Sequence, residues 1–291
     1  MNLKEIYSKK DIRHNGIFQW VKPVISFEVF PPKENEQEFY KEIELLKNYN
    51  PEFISLTCGA GGKNNDSADV LKTLKNDLHL NIMPHFTCIN NSKESVSSNL
   101  KLIEDLGIEN ILALRGDEPQ ELEKCYNDFH HANELVAFIK EQTNLSIGVA
   151  GYPEGHIDSP DIFSDIDNLK RKIDAGADAI FTQLFFNNDK FFSYIQLVRD
   201  AGIEVPIIAG IMPILSYKQI TKMTHLANIS VPKTLQDKIE QYKDNSQSMK
   251  ELGIDFASYQ CQQLIDAEVA GLHFFTLNKS YSTTQILDNI I

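Results

Sequence analysis

Three residues that could carry chemistry follow one another at the end of a short apolar run. Residues 111–114 are predicted to form a buried strand, and Arg115, Gly116 and Asp117 come directly after it. The carboxyl ends of parallel strands are where α/β proteins bind their ligands. Gly116 would let the backbone approach a ligand closely, with opposite charges on either side. The alternative is that Arg115 and Asp117 only cap a strand–helix turn.

A carboxylate holds a comparable place near the start of the chain. Glu28 lies in a predicted strand, residues 24–30, whose side chains alternate between two faces. The odd-numbered side chains are apolar and suit packing against helices, so Glu28 points to the inner face. We expect shielding by Phe27, Phe30 and the following prolines to raise the pKa of the carboxyl group, which would suit a general acid. The alternative is a structural carboxylate that accepts hydrogen bonds from loop N–H groups.

Other predicted strands end in side chains suited to a planar or phosphorylated ligand. Residues 57–62 form a glycine-rich turn that could expose N–H groups, or simply a flexible loop. His85 is either a hydrogen-bonded core histidine or a contact to a cofactor. Tyr152 and His156 offer aromatic surface with polar tips. Gln183 is predicted to point inward, where its amide could recognise the edge of a heterocycle.

Polar side chains also recur at helical spacing soon after the fifth predicted strand. Asp165, Asn168, Arg171 and Lys172 lie three and four residues apart, so they share one face of a helix. The two cations could hold a diphosphate, or the face could be solvated and laced with ion pairs. Lys279 follows the last strand, where a substrate carboxylate could meet it.

The order of elements predicts how these residues are brought together. Eight strands alternate with helices and no linker divides them, which predicts a parallel sheet and the strand count of a (β/α)8 TIM barrel. We predict one α/β domain over residues 1–291, with extra helices inserted before the last strand in residues 231–262. The predicted strands are 24–30, 53–57, 82–87, 111–114, 146–151, 179–183, 206–210 and 272–276. The predicted helices are 36–47, 67–77, 93–106, 131–141, 165–175 and 189–201.

Composition narrows the class of protein. Of the 291 residues 42% are hydrophobic and 24% are charged, as in soluble globular proteins. No apolar run reaches the roughly 20 residues that span a bilayer. The first twenty residues contain no apolar segment of the kind that a secretory signal needs, so we expect none. We therefore expect a cytoplasmic protein without a membrane partner. The net charge of −13 argues against a nucleic-acid partner. The scattered cysteines predict neither disulfides nor a metal site: Cys58, Cys88, Cys125 and Cys261.

These motifs together resemble the methylenetetrahydrofolate reductase family, the flavoprotein reductases of one-carbon metabolism. They follow the family's order over nearly the whole chain, and the length resembles the bacterial single-domain form. The matching segments are residues 26–32, 84–88, 113–117, 152–156, 168–177, 182–186 and 274–279.

The resemblance implies a TIM barrel with non-covalent FAD and with NADH or NADPH as the electron donor. The implied reaction reduces 5,10-methylenetetrahydrofolate to 5-methyltetrahydrofolate, which supplies methyl groups for methionine synthesis. Hydride would pass through flavin N5 in a ping-pong cycle. Glu28 would be the general acid that helps to open the folate ring to a cation, and Asp117 would bind the pterin and place negative charge near that cation.

The resemblance also implies two sets of binding residues. The FAD set is Thr57, Cys58, Ala60, His85, Arg115, Gly116, Asp117, Ala132, Tyr152, His156, Asp165, Asn168, Arg171 and Lys172. The substrate set is Glu28, Asp117, Gln183, Gln219 and Lys279. Cys58, Met223 and Lys279 depart from residues found in other members. No metal is implied, and self-association through outer helices is an option.

Two readings of other classes compete with this one. A barrel lyase without flavin would want a Schiff-base lysine inside a strand, and none of the predicted strands contains a lysine. The other alternative is a flavin- or folate-binding barrel that has lost its activity. The presence of Glu28, Asp117 and Gln183 together argues against it.

Overall fold

Eight parallel strands close into a barrel in sequence order, each pairing with the next and the last with the first. The computed structural model describes residues 1–8, 23–57, 65–89, 91–116 and 128–291. The predicted TIM barrel is therefore confirmed. The strands are β1 Val24–Val29, β2 Phe53–Leu56, β3 Ile82–Thr87, β4 Asn110–Leu114, β5 Ser146–Gly151, β6 Ala179–Thr182, β7 Ile207–Ile211 and β8 Gly271–Phe275.

Helices lie between the strands, and several begin at a side-chain cap. Ser92, Asp161 and Ser216 each accept a backbone N–H bond at a helix start, which satisfies a donor that the helix leaves free. The helices are α1 Leu3–Ser8, α2 Glu36–Lys47, α3 Asn65–Lys72, α4 Lys93–Asp105, α5 Ala132–Gln142, α6 Ile162–Asp174, α7 Asn188–Asp200, α8 Tyr217–Ala227, α9 Lys233–Gln241, α10 Ser246–Asp266 and α11 Ser280–Ile290.

Two details of the helices bear on the predictions. The insertion before the last strand is confirmed, because α9 and α10 lie between α8 and β8. The predicted helix 67–77 instead starts at Asn65 and ends in a π-helical turn, Thr73–Asp77. Within the described ranges, no helix combines the length and apolarity that a membrane crossing requires.

Strand parity separates the core into two layers, as predicted. Phe27 and Val29 face outward and pack with the helices in the larger apolar cluster, together with Phe274 of β8. The even-numbered residues of β1 face inward, where Ser26 contacts His273 and Glu28 approaches His85. Polar side chains thus meet inside the carboxyl-terminal part of the barrel.

Helix α1, which the sequence did not predict, closes the opposite end of the barrel. Leu3, Ile6 and Tyr7 are buried in the inner apolar cluster. The amide of Leu3 donates to Asn110 Oδ1 at 2.7 Å, at the first residue of β4. Apolar side chains therefore fill this end, and ligand access is left to the end where the strands finish.

Replacing Tyr7 by Phe should stabilise the protein. Its buried hydroxyl has no hydrogen-bond partner among the described residues, and burial together with the nearby Glu52 raises its pKa. An unpaired buried polar group costs free energy, so Tyr7→Phe should raise the free energy of unfolding by about 1 kcal/mol. Urea denaturation of both proteins measures this. A lower stability of Tyr7→Phe would mean that the hydroxyl has a partner.

Candidate active site

Glu28 lies between two buried histidines at the carboxyl end of β1. Its Oε2 is 3.6 Å from His85 Nε2 on β3 and 4.0 Å from His273 Nε2 on β8. The Glu28 side chain is 13% exposed, whereas those of the histidines are 5% and 1% exposed. The carboxylate is thus the member of this group that a ligand in the barrel mouth can reach.

Each histidine is oriented by a serine from a neighbouring strand. Ser55 Oγ lies 2.5 Å from His85 Nε2, and Ser26 Oγ lies 2.8 Å from His273 Nδ1. His273 is further enclosed by aromatic rings, with Phe53 stacked on it at 6.1 Å and Phe181 edge-on at 5.3 Å. Its Nε2 has no hydrogen-bond partner among the described residues. The charged group beside this ring nitrogen is the Glu28 carboxylate, whose Oε2 lies 4.0 Å away.

The expected rise in the pKa of Glu28 is wrong. Burial raises that pKa, but the His273 imidazole and the charges of His85 and His273 lower it by more, so the pKa lies below its ordinary value. The expected shielding also differs, because Phe27 faces the outer helices and Phe30 is 38% exposed. The histidines enclose the carboxyl group instead, and they favour its ionised form.

His85 should make the protein less stable in mild acid. Burial lowers its pKa, and Glu28 offsets only part of that effect. The unfolded chain therefore takes up the proton first. The stabilisation is complete above the ordinary histidine pKa of about 6.5 and is lost as pH falls through the lower folded value.

A His85→Asn variant tests this pH dependence. Urea denaturation at several pH values between 7.5 and 5 should show a shallower loss of stability for the variant, by at most about 1.4 kcal/mol per pH unit. The pKa of Glu28 is lowered from 4.5, so this carboxyl group titrates below the pH range of the measurement. Equal slopes in the two proteins would contradict the assignment.

Three residues of the proposed cofactor set follow β2 and β4 at the barrel mouth, namely Thr57, Arg115 and Gly116. Thr57 directly follows β2, and its buried Oγ1 has no hydrogen-bond partner in the described part of the chain. Arg115 follows β4 and pairs with Asp158 at 3.4 Å. Gly116 has φ +84°, and a Cβ there would lie 3.1 Å from Thr87. Only glycine fits this conformation easily, so the backbone can approach a neighbour closely.

The turn after β5 joins aromatic and charged groups. The rings of Tyr152 and His156 meet edge to face at 4.6 Å. Lys172 Nζ lies 5.9 Å from the Tyr152 ring and donates to the Ala150 carbonyl at 2.7 Å. Burial lowers the pKa of Lys172 to about 8, although Asp165 opposes that shift. Burial shifts the pKa of Asp165 in the opposite direction, upward, because it disfavours the charged form of a carboxyl group.

Two other members of the α6 face remain near water. Arg171 Nη1 donates to Asn168 Oδ1 at 3.4 Å, within an exposed contact on the helix. On a different helix, Ala132 of the proposed FAD set is the first residue of α5, where no side chain caps the helix. The four residues predicted to share one face therefore differ in burial: Asp165 is buried and Lys172 is half-buried, whereas Asn168 and Arg171 are exposed.

The proposed substrate residues that the structure describes lie around the same end of the barrel. Gln183 follows β6, and its Oε1 accepts from the Leu184 amide at 2.9 Å. Gln219 in α8 spans the β7–α8 loop, accepting from Leu215 and donating to the Pro213 carbonyl. Lys279 is exposed at the start of α11. Cys58, Ala60 and Asp117 lie outside the described residues, and the described residues contain no cluster suited to a metal ion.

Sequence reasoning named His85 but gave no role to His273, Ser26 or Ser55, which lie around Glu28 and the two histidines. The signal that could have found them is the alternation of faces along each strand, combined with the register of the sheet. In that register Ser26 of β1 lies beside His273 of β8. Ser55 likewise lies beside Glu28 in the register between β1 and β2. Without the register, a histidine in an aromatic run is indistinguishable from a core residue.

Comparisons with known proteins point to one family. The model of the family described as "Methylenetetrahydrofolate reductase" matches residues 14–291. The chain is 34% identical over 259 residues to the 5,10-methylenetetrahydrofolate reductase of Escherichia coli (strain K12), covering 88% of this chain and 86% of that protein. It is 36% identical over 282 residues to methylenetetrahydrofolate reductase (NADH) 1 of Arabidopsis thaliana, covering 91% of this chain and 48% of that protein.

The overlap with other relatives is partial. A Schizosaccharomyces pombe relative, methylenetetrahydrofolate reductase 1, is 34% identical over 277 residues, which cover 92% of this chain and 46% of that protein. The chain thus spans about half the length of these eukaryotic relatives.

A solved structure supports the fold alone. An uncharacterized protein from Clostridium thermocellum that binds two copies of 5-methyl-5,6,7,8-tetrahydrofolic acid superposes with a TM-score of 0.64. The match has 14% identity and covers 93% of this chain and 95% of that one. The family match over residues 14–291 and the coverage of the bacterial relative together establish the relationship: the chain belongs to the methylenetetrahydrofolate reductase family.

Proposed function

We propose that this chain reduces 5,10-methylenetetrahydrofolate to 5-methyltetrahydrofolate with NADH or NADPH as the electron donor. The observation that carries the proposal is the Glu28 carboxyl group, held in the mouth of a family barrel between two buried histidines. A carboxyl group at that place is costly unless it has partners or a role. It is the group best placed to exchange a proton with a ligand there.

Residues around the mouth fit a flavin dinucleotide. Thr57 supplies a buried hydroxyl with no hydrogen-bond partner among the described residues. Gly116 permits close approach of the backbone, and the Tyr152 ring lies 5.9 Å from Lys172 Nζ. We propose that FAD binds non-covalently among these residues, with Arg115 and Lys172 favouring its diphosphate. Bound FAD would supply hydride transfer between the nicotinamide and the folate. Cys58, Ala60, His85, Asp117, Ala132, His156, Asp165, Asn168 and Arg171 complete the proposed set.

Glu28 must receive a proton before it can act as an acid, because its pKa is lowered in the ligand-free protein. The Glu28 side chain is 13% exposed, so it can take up that proton from water at the barrel mouth. A folate that fills the mouth would exclude water and favour the neutral carboxyl group. Glu28 would then protonate the folate nitrogen that leaves the methylene carbon as the ring opens.

The substrate side is proposed to involve Asp117, Gln183, Gln219 and Lys279. The Gln183 amide both donates and accepts, as recognition of a pterin edge requires. Lys279 is exposed and cationic, which suits the carboxylates of a folate tail. We further propose that residues 1–291 form one catalytic domain, that the protein works in the cytoplasm for methionine synthesis, and that it self-associates.

A steady-state assay with identification of the product tests the proposal. Oxidation of NADH or NADPH should depend on added methylenetetrahydrofolate and should yield one 5-methyltetrahydrofolate for each nucleotide oxidised. Comparing the two nucleotides also gives the donor preference. Nucleotide oxidation that proceeds without forming this folate would refute the proposal.

A further inference from the structure

Glu154 lies in the turn of residues 152–155 that follows β5, and the proposed reaction gives its carboxylate no role. The Gly155 amide donates to the Tyr152 carbonyl at 2.9 Å, and Gly155 has φ +82°. The rings of Tyr152 and His156, which belong to the proposed FAD set, meet edge to face beside this tight turn. Glu154 lies between them in the sequence and has partners on two other elements.

The Glu154 carboxylate joins three parts of the chain. It forms an ion pair with Lys190 in the first turn of α7, and it accepts from the Ser230 amide at 3.2 Å on each oxygen. Its side chain is only 7% exposed. By contrast, the Lys170–Asp174 pair on α6 is 39% and 59% exposed. Exposed pairs contribute little, whereas breaking the contacts of a buried carboxylate is costly.

Ser230 belongs to the segment that carries the proposed folate side. It lies between α8, which contains Gln219, and α9. Its neighbours Ile229 and Val231 pack with Met223 against an apolar cluster that includes Leu184, the residue after Gln183. The contact from Glu154 to Ser230 therefore connects the turn of residues 152–155, on the proposed cofactor side, to the segment of residues 229–231, on the proposed folate side.

We propose that Glu154 is a positioning residue that fixes the turn of residues 152–155 against the segment of residues 229–231. The two sides of the mouth are then held as one unit. What each side binds rests on the proposed function, whereas the mechanical link rests on the contacts of Glu154 alone. The test therefore begins with a measurement that needs no ligand.

Hydrogen exchange of the ligand-free protein measures the link directly. In Glu154→Gln, the amides of Ser230 and Gly155 should exchange together and about tenfold faster than in the wild type. The Gly202 amide, which donates to Arg199 at 2.9 Å in a comparable turn, is the internal control and should not change. Asp174→Asn removes an exposed charge pair and is the matched control variant.

Kinetics then show whether the link serves binding. With the flavin-loaded protein, Glu154→Gln should raise the KM for methylenetetrahydrofolate about fivefold and speed flavin dissociation comparably. The rate constant for reduction of bound flavin by NADH should stay within twofold. Lys190→Met keeps the bond to Ser230 and should give smaller changes in the same direction. It also serves as the variant if Glu154→Gln does not fold.

Opposite results would overturn the proposal. An unchanged Gly155 exchange rate in Glu154→Gln, or in Lys190→Met if that variant must be used, would show that no link exists. A loss of flavin reduction as large as the change in KM would assign Glu154 a general structural role. If the wild-type protein binds no flavin, the proposed function fails, and the exchange rates still decide whether Glu154 links the two segments.

Discussion

Replacing Glu28 with Gln should abolish folate reduction while leaving flavin reduction intact. A neutral amide fills the same space between His85 and His273 but cannot act as an acid. General acid catalysis contributes about 10²- to 10⁴-fold, so folate reduction should slow by about 10³-fold. Reduction of bound flavin by NADH needs no such proton and should stay within a few-fold of the wild-type rate. Stopped-flow absorbance of each half-reaction measures both.

Glu44→Gln is the matched control for this variant, because Glu44 is an exposed carboxylate on α2. It should leave both half-reactions unchanged. Equal losses of the two half-reactions in Glu28→Gln would make Glu28 a structural carboxylate. That result would contradict the role of Glu28 as a proton donor, and it would leave the barrel fold unaffected.

Gly151→Ala should destabilise the protein by about 3 kcal/mol, at the upper end of the usual cost of overpacking. A Cβ at Gly151 would lie 2.2 Å from the Tyr194 hydroxyl and 2.6 Å from a methyl group of Ile180. Tyr194 on α7 is fully enclosed, so its ring cannot move aside cheaply. Because Gly151 directly precedes Tyr152, the same strain should weaken flavin retention.

A double-mutant cycle isolates this contact. Tyr194→Phe removes the hydroxyl and leaves the ring carbon 3.2 Å from the new Cβ. We expect Tyr194→Phe alone to cost at most about 1 kcal/mol, since the hydroxyl that it removes interacts only with the backbone of Tyr152 and with no side-chain partner among the described residues. Gly151→Ala should cost clearly less in that background, as measured by thermal and urea unfolding. Additive costs would show that Tyr194 is not the obstacle.

Much of the fold could be predicted from the sequence because its signals are local. Apolar runs of four to six residues marked the strands, and the even-numbered residues of β1 were correctly placed inside the barrel. Helix α1 was missed because six residues carry little periodicity. It is held by contacts such as Leu3 to Asn110, more than a hundred positions away.

The candidate site was only partly predictable, because its chemistry depends on which strands become neighbours. Glu28 was identified, but its pKa was predicted in the wrong direction because His85 and His273 lie far from it in the sequence. The helical spacing of α6 grouped Asp165, Asn168, Arg171 and Lys172, but it could not show which of them are buried, nor that Lys172 donates to the Ala150 carbonyl. Burial and register decide these points.

The central claim is that the barrel mouth holds a flavin that accepts hydride from a nicotinamide and gives it to a folate. The most direct measurement is the absorbance spectrum of the purified protein supplied with FAD, recorded anaerobically with NADH and then with methylenetetrahydrofolate. The flavin bands should bleach with NADH and return with the folate. A protein that binds no FAD, or whose reduced flavin is not reoxidised by the folate, would contradict it.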